Sequence, residues 1–372
     1  MRLLVCAGGT GGGVYPALAI LQALGNEPEA ILWVGSEGGM ERDLVMRTRI
    51  PFQAIPAAGV HGVGWHRLPG NLVSLARGTL AARHILRTYK PDVLLFTGGY
   101  VGVPVAIAGR FIPSLVYVPD IEPGLALKLM SRFAHIIAVT TPESRHYFPP
   151  QKHVVVTGYP TRAELRGWQR EQARQTLGLK MEDPVLLVMG GSKGARSINR
   201  AVLMNLETIL TVTQVIHLTG LIDWPEVQQR TSSLPANLQL RYHAHPYLHE
   251  DIGAAFAAAD LILCRAGAST LGELPLFGLP AILVPYPYAW RYQNTNAAYL
   301  SKHGAAITLS DHTLAETLLP TLHELLNTPQ RLHQMGEAMR TLAIPGAAAH
   351  LADLIRGLAA RSAKIPKRED TK

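Results

Sequence analysis

Two glycine-rich turns, Gly8-Gly9-Thr10-Gly11-Gly12-Gly13 and Gly190-Gly191-Ser192-Lys193-Gly194-Ala195, stand about half a chain apart. Each follows a short apolar run, Leu3 to Ala7 and Val185 to Met189, that reads as a buried strand, and each opens a helical pattern. A glycine turn between strand and helix brings backbone close to a ligand and aims the unpaired N–H groups of the helix N-terminus at it, which suits a diphosphate. Two such units predict two nucleotide-binding-like halves facing one another.

Strand-like runs alternate with helical patterns throughout. The first series is Leu3 to Ala7, Ile31 to Val34, Val93 to Phe96, Leu115 to Val118, Ile136 to Val139 and Val154 to Val156. A second series restarts near the second glycine turn, with Val185 to Met189, Thr213 to Leu218, Leu238 to Tyr242, Leu261 to Cys264, Ala281 to Val284 and Ala306 to Leu309. Short apolar strands between helices predict an α/β chain with a doubly wound parallel sheet in each half, ligands binding at the carboxyl ends of the strands and in the cleft between domains. The 372 residues suffice for two cores. The turn Gly158-Tyr159-Pro160-Thr161 marks the boundary, because proline disfavours helix before it and a new helical pattern starts at Glu164. The expected division is 1–160, then 161–345, with an amphipathic helix at 346–361 crossing back onto the first domain and a disordered tail at 362–372.

The net charge of +8 is unevenly spread: residues 1–162 carry 15 Lys and Arg against 9 Asp and Glu, the remainder 20 against 18. No acidic residue occurs between Asp43 and Asp92, while Arg47, Arg49, Arg67, Arg77, Arg83, Arg87 and Lys90 accumulate there. Within that stretch Leu72, Ala76 and Leu80, flanked by Leu75, form one stripe of a helix that runs on into Arg83 and Arg87. An apolar edge continuing into a basic one suits an anionic membrane surface; the alternative is a core-facing helix whose arginines snorkel to solvent. Few aromatics and no reader motif argue against nucleic acid. No apolar stretch reaches eighteen residues and Met1-Arg2 leads straight into a strand, so no span or signal peptide is expected and the protein should stay in the cytoplasm. Cys6 and Cys264, the two cysteines, lie in apolar runs and read as packed thiols.

Several familiar motifs fit poorly. A dinucleotide fingerprint on Gly9 and Gly11, with Glu37 as ribose acid, fails where Val14 replaces the third glycine, and neither turn has the Gly-Lys-Ser/Thr ending of a phosphate-loop NTPase. The segment Cys264-Arg265-Ala266-Gly267-Ala268-Ser269-Thr270-Leu271-Gly272-Glu273 repeats the strand, small-residue turn and helix pattern. Glu273, one helical turn beyond Ser269, can accept bidentate hydrogen bonds from vicinal ribose hydroxyls, or simply complement the helix dipole. Gln293 and Asn296 are neutral amides able to meet sugar hydroxyls or an acetamido group, or to cap the surface. Arg162, just past the hinge turn, is placed to clamp a diphosphate bidentately, or to lie solvated. His243 and His245 are spaced to share a strand face, but no His-x-x-x-His helix, cysteine pair or Asp-x-Asp strand end occurs, so neither a metal nor another cofactor is expected. Glycine loops, helix N-termini and Arg162 would then neutralise a leaving diphosphate.

Together these residues resemble the bacterial cell-wall N-acetylglucosaminyltransferases of glycosyltransferase family 28, over nearly the whole chain. The resemblance rests on Gly8 to Gly12 with Val14-Tyr15-Pro16-Ala17, Thr97-Gly98-Gly99-Tyr100-Val101, Thr157-Gly158 with Pro160 and Arg162, Gly190-Gly191-Ser192 with Gly194-Ala195 and Ile198-Asn199, Arg265 to Ala268, Glu273, and Gln293 with Asn296-Ala297. It implies a GT-B fold and metal-independent, inverting transfer from UDP-N-acetylglucosamine to a polyprenyl-diphosphate-linked muramoyl-pentapeptide, at the cytoplasmic face of the membrane. By position it implies that Ser192, the turn Ala268, Ser269 and Thr270, and Arg162 hold the UDP diphosphate, Glu273 the ribose, the backbone near His249 the uracil, and Gln293 the N-acetylglucosamine. Thr10, Gly11, Gly12, Gly13 and Tyr100 fall on the acceptor side.

The departures also fall there. Gly13 stands where the family has histidine, Asp120 where it has the asparagine of a His-Glu-Gln-Asn segment, and Tyr159 where the hinge has asparagine. A missing imidazole matters because a general base contributes roughly 10²- to 10⁴-fold. Asp120 is the candidate replacement, since an apolar site raises a carboxyl group's pKa toward neutrality; the alternative is that it only hydrogen-bonds the sugar. Glu122 is a weaker rival. Two other outcomes stay open: a different lipid-linked acceptor, and a UDP-sugar-binding protein without catalysis.

Overall fold

The computed structural model describes residues 1–8, 11–39, 41–57, 68–191, 194–248, 251–288 and 292–364. It divides into two compact units, Met1–Arg162 with Gly346–Lys372, and Ala163–Pro345. The first unit extends through Arg162 rather than ending at 160.

The first unit holds a seven-stranded sheet in the order β3-β2-β1-β4-β5-β6-β7. Its strands are β1 (Arg2–Ala7), β2 (Ala30–Ser36), β3 (Phe52–Ile55), β4 (Val93–Gly98), β5 (Ser114–Val118), β6 (Ile136–Val139) and β7 (Val154–Val156), and every pairing is parallel. Strand alternation sends Leu3, Val5 and Ala7 to one face and Leu4 and Cys6 to the other, and both faces are buried. That is why these strands read as unbroken apolar runs. The first face is covered by helices Gly11–Leu24 and Ala347–Lys364, the latter burying Leu351, Ala352, Ile355 and Leu358 in the first unit's core. The opposite face takes Ala82 and Leu86 from helix Leu68–Tyr89 and Val103, Val105 and Ala106 from helix Gly102–Ala108.

The second unit holds a six-stranded parallel sheet in the order β10-β9-β8-β11-β12-β13. Its strands are β8 (Val185–Met189), β9 (Gln214–Leu218), β10 (Tyr242–His245), β11 (Leu261–Cys264), β12 (Ala281–Leu283) and β13 (Ala306–Thr308). In each sheet the chain reverses winding direction once, between β1 and β4 and between β8 and β11. The glycine turns leave β1 and β8, so each sits at a switch point, where open α/β sheets hold ligands.

Four local expectations differ from the structure. β3 is absent from the sequence reading, because four residues between Pro51 and Pro56 on an exposed sheet edge carry too little apolar signal. The run Leu238 to Tyr242 is not a strand. Pro235 starts a helical turn at Ala236–Gln239, and pairing with β9 begins only at Tyr242. The pattern at Glu164 resolves into a 3₁₀ turn, Ala163–Leu165, followed by helix Arg170–Thr176. The last helix begins at Ala347 and runs to Lys364 rather than spanning 346–361, so residues 362–364 of the expected disordered tail are helical; the tail beyond 364 lies outside the described residues.

Candidate active site

In the second unit the turn after β8 is closed by glycine. A Cβ on Gly190 would lie 2.2 Å from the Ala195 nitrogen, and one on Gly194, where φ is +77°, would lie 2.2 Å from the Thr219 carbonyl oxygen. The loop therefore packs directly on the end of β9. Ser192 lies outside the described residues, as does His249.

Beside it, β11 runs into the turn Arg265–Ser269 and helix Thr270–Phe277. Thr270 Oγ1 donates to Gly267 O at 2.6 Å, and Glu273 N–H donates to Ser269 O at 2.8 Å, so the small-residue turn is pinned from within. Ala268 and Thr270 are buried, Ser269 and Glu273 half-buried. Burial, and secondarily the Glu273 charge, push the Cys264 thiol up, so it stays protonated; Cys6 is likewise free, buried and raised. The two amides serve the same loops. Gln293 Oε1 accepts from Tyr286 N–H at 2.8 Å, and buried Asn296 donates from Nδ2 to Ala266 O at 3.1 Å. The capping alternative thus describes the Gln293 oxygen.

Two networks beneath these loops have no signal in sequence spacing. Arg265 Nη1 donates to Asp311 Oδ1 and, at 3.2 Å, to Val284 O, while Nη2 donates to Ser197 Oγ at 2.8 Å. Ser197 Oγ in turn donates to Asp311 Oδ1 at 2.6 Å, and the guanidinium carbon lies over Tyr286, 5.2 Å from the ring centroid. One side chain thereby ties the helix after the glycine loop to the loop carrying Tyr286. In the second network, His217 Nε2 is 3.0 Å from Asn199 Oδ1 and Nδ1 is 2.7 Å from Tyr242 Oη. Asn199 Nδ2 is spent on Thr219 O and Asp223 Oδ2, both at 2.8 Å, so Oδ1 is the acceptor and His217 carries its proton on Nε2. Burial pushes His217 down to about 3, and the neutral ring holds the end of β9 under the loop.

His243 and His245 do fall on one strand, and burial lowers both. Among the described residues no group of three or more His, Cys, Asp or Glu side chains is placed to hold a metal ion.

In the first unit the turn after β1 meets the end of β4. Gly8 N–H donates to Gly98 O at 3.3 Å, Thr97 Oγ1 donates to Gly13 O at 2.6 Å, and Gly99, with φ +86°, approaches so closely that a Cβ there would lie 2.8 Å from the Gly8 carbonyl. Gly11, Gly12 and Gly13 begin helix Gly11–Leu24; Gly12 is exposed and Gly13 buried, and Thr10 lies outside the described residues. Tyr100 is exposed beside Gly99. Asp120, at the carboxyl end of β5, is half-buried. Its charge reaches Tyr117, whose phenol is raised chiefly by burial and sits 2.7 Å from Thr140 Oγ1. Tyr159 packs edge-on against Tyr117, ring centroids 6.5 Å apart. Glu122 is buried with Oε1 3.8 Å from Lys128 Nζ, an ion pair that gives it a structural use. Arg162 stacks over the Tyr15 ring at 5.0 Å, which binds it to the first unit.

Helix Leu68–Tyr89 turns a second face outward. Leu75 packs toward the core, whereas Leu80 is 68% and Val73 58% exposed, with Arg77, Arg83 and Arg87 also exposed. Leu75, Ala76, Thr79 and Leu80 line an open hollow with Ile107. Phe111 is 80% exposed under the Arg110 guanidinium. The Leu72 side chain lies outside the described residues. Among those residues no helix is long and apolar enough to cross a membrane.

Residues 3–139 match the glycosyltransferase family 28 N-terminal domain, and residues 185–351 the family's C-terminal domain. The chain belongs to glycosyltransferase family 28. Among its family-28 relatives, a UDP-N-acetylglucosamine–N-acetylmuramyl-(pentapeptide) pyrophosphoryl-undecaprenol N-acetylglucosamine transferase of Roseiflexus sp. is 41% identical, covering 97% of this chain and 96% of that protein. The protein of that name from Desulforudis audaxviator is 39% identical over 98% of this chain and 100% of its own length. The crystal structure of MurG from Acinetobacter baumannii superposes with a TM-score of 0.78 at 30% identity, covering 96% and 99% of the two chains. This family-28 protein is therefore a hexosyltransferase with the GT-B architecture.

Proposed function

We propose that the protein transfers N-acetylglucosamine from UDP-N-acetylglucosamine, with inversion, to the muramoyl hydroxyl of undecaprenyl-diphospho-N-acetylmuramoyl-pentapeptide in peptidoglycan synthesis. The observation that carries this reading is the family-28 match in both halves of the chain, together with near-full-length relatives that bear that transferase name. The second unit takes the donor: Ser192, Ala268, Ser269 and Thr270 hold the diphosphate, Glu273 the ribose, the backbone at His249 the uracil and Gln293 the sugar, and Arg162, the last residue of the first unit before the boundary, is the further candidate for the diphosphate. Because Gln293 Oε1 is engaged by Tyr286 N–H, its NH₂ is the group offered to the acetamido oxygen. The first unit takes the acceptor beside Thr10, Gly11, Gly12, Gly13 and Tyr100, with Asp120 as general base in place of an imidazole at position 13. Leu72, Leu80, Arg83 and Arg87 rest on the anionic cytoplasmic membrane surface, where a polyprenyl acceptor resides, while Leu75 packs inward instead; the exposed Leu80 and Val73 beside exposed arginines support this.

The test incubates the protein with UDP-N-acetylglucosamine and the lipid-linked muramoyl-pentapeptide and follows UDP release and product lipid. Product formation that collapses in Asp120→Asn and Asp120→Ala, while UDP still binds, supports both the reaction and the base. Unchanged turnover in those variants removes Asp120 from the chemistry. The changes at Gly13, Asp120 and Tyr159 favour one second reading, transfer to a different lipid-linked acceptor, and turnover on such a lipid alone would establish it.

A further inference from the structure

Two of the positions at which this chain departs from its family meet on one side chain. Tyr117, in β5, is fully buried; Tyr159 packs edge-on against its ring, and its phenol is raised chiefly by burial and further by the Asp120 charge. The phenol therefore stays protonated and can donate. Its Oη lies 2.7 Å from Thr140 Oγ1 and 3.3 Å from Gly158 O. Thr140, also buried, follows β6, and its Oγ1 lies 2.8 Å from Pro119 O and 3.2 Å from Val118 O. Each hydroxyl has one proton, and the shortest contacts are used when Tyr117 donates to Thr140 Oγ1 and Thr140 donates to the Pro119 carbonyl.

That last bond fixes more than one atom. The Pro119 ring holds φ at roughly −65°, and the Pro119 carbonyl belongs to the rigid peptide plane that carries the Asp120 nitrogen. With the carbonyl held by Thr140, ψ of Pro119 is set too, and the chain reaches the Asp120 Cα in one direction. Pro119 is buried like both hydroxyls, so none of them can trade this bond for one to solvent. We propose that Thr140 and Tyr117 are positioning residues for the transfer: Thr140 fixes the peptide that delivers Asp120 to the acceptor hydroxyl, and Tyr117, braced by Tyr159, anchors Thr140. The proposal rests on the reading of Asp120 as general base. A base works only within hydrogen-bond reach of the proton it takes, and a misplacement of about 1 Å costs roughly 10²-fold.

The experiment is a double-mutant cycle on the intact protein, with UDP-N-acetylglucosamine and the lipid-linked muramoyl-pentapeptide as substrates. Thr140→Val, which keeps the shape and removes the donor, is expected to lower kcat at least about tenfold while the KM for UDP-N-acetylglucosamine stays within about twofold, because the donor loops lie in the second unit. Thr140→Ser, which restores a hydroxyl, is expected to recover most of that loss. In the Asp120→Asn background Thr140→Val is expected to lower kcat no further, since the group it positions is gone. Tyr117→Phe, expected to lower kcat about threefold by releasing Thr140, replaces Thr140→Val in the cycle if melting curves show that the latter does not fold. Losses that multiply in the double variant, a Thr140→Ser protein as slow as Thr140→Val, or an unchanged kcat in Thr140→Val would each overturn the proposal while the Asp120 reading stands. Turnover undiminished by Asp120→Asn would overturn the base reading, and absence of product from the wild type the transfer reading, each taking the proposal with it.

Discussion

His217 offers a stability measurement that isolates one buried group. Its folded-state pKa is depressed to about 3, chiefly by burial and only partly countered by the Asp223 charge. An unfolded histidine titrates near ~6.5, so below that pH the unfolded chain binds a proton that the folded chain refuses, and stability falls as the pH drops from ~6.5 toward 3. Between pH 7.5 and 5 this one group removes about 2 kcal/mol, from the ratio of the unfolded and folded binding polynomials. The geometry supplies the reason. Asn199 Oδ1 requires a donor on Nε2, Tyr242 Oη donates to Nδ1, and a second proton would cost Tyr242 its acceptor inside the core.

His217→Gln can keep a donor toward Asn199 while abolishing the titration. Urea unfolding followed by circular dichroism at pH 7.5 and at pH 5 gives four stabilities. The variant should be the less stable protein at pH 7.5, and the wild type should close about 2 kcal/mol of that gap at pH 5. His135, His243 and His245, which burial also lowers, are common to both proteins and cancel. A gap of the same size at both pH values would refute the argument.

Gly194→Ala should destabilise the protein by more than about 1 kcal/mol and weaken UDP binding at least about tenfold, since an added Cβ meets the Thr219 carbonyl at 2.2 Å in a left-handed conformation; melting curves and UDP titration check it. Arg265→Lys leaves Asp311 and Ser197 without their shared fork, so the KM for UDP-N-acetylglucosamine should rise at least about fivefold and Lys should fail to rescue Arg265→Ala; equal kinetics for Lys and Arg would show that charge alone suffices. Leu351→Ala, in the helix Ala347–Lys364, should cost about 2–5 kcal/mol by urea unfolding through cavity formation in the first unit. Val73→Asp with Leu80→Asp should cut co-sedimentation with anionic vesicles about tenfold while leaving melting unchanged, because both side chains are already exposed.

How much of this is legible in the sequence follows from what each feature depends on. Buried parallel strands write themselves as continuous Val, Leu and Ile runs, so eleven of the strands stand close to their expected places, and glycine turns at β1 and β8 declare the switch points. β3 and the true start of β10 are hidden because edge pairing is decided by a neighbour: Phe52 to Ile55 and Tyr242 to His245 acquire their register from β2 and β9. The site divides along the same line. Ser192, Glu273 and Gln293 stand out because a resemblance carries residues by position, and His217 with Asn199 and Arg265 with Asp311 acquire meaning only through contacts.

That distinction bears on the two glycine turns themselves. In sequence they are near-duplicates, a strand, a run of glycines and a helix, and the helix N-terminus argument assigns a phosphate to both. Contacts set them apart. The second turn seats Gly194 against the Thr219 carbonyl, which Asn199 Nδ2 also holds beside the neutral His217 ring, and Arg265 ties the following helix to Asp311. The first is fixed instead from β4, by Thr97 Oγ1 donating to Gly13 O and Gly8 N–H donating to Gly98 O. Two turns built from the same local sequence are therefore held by different partners, through residues that neither turn contains.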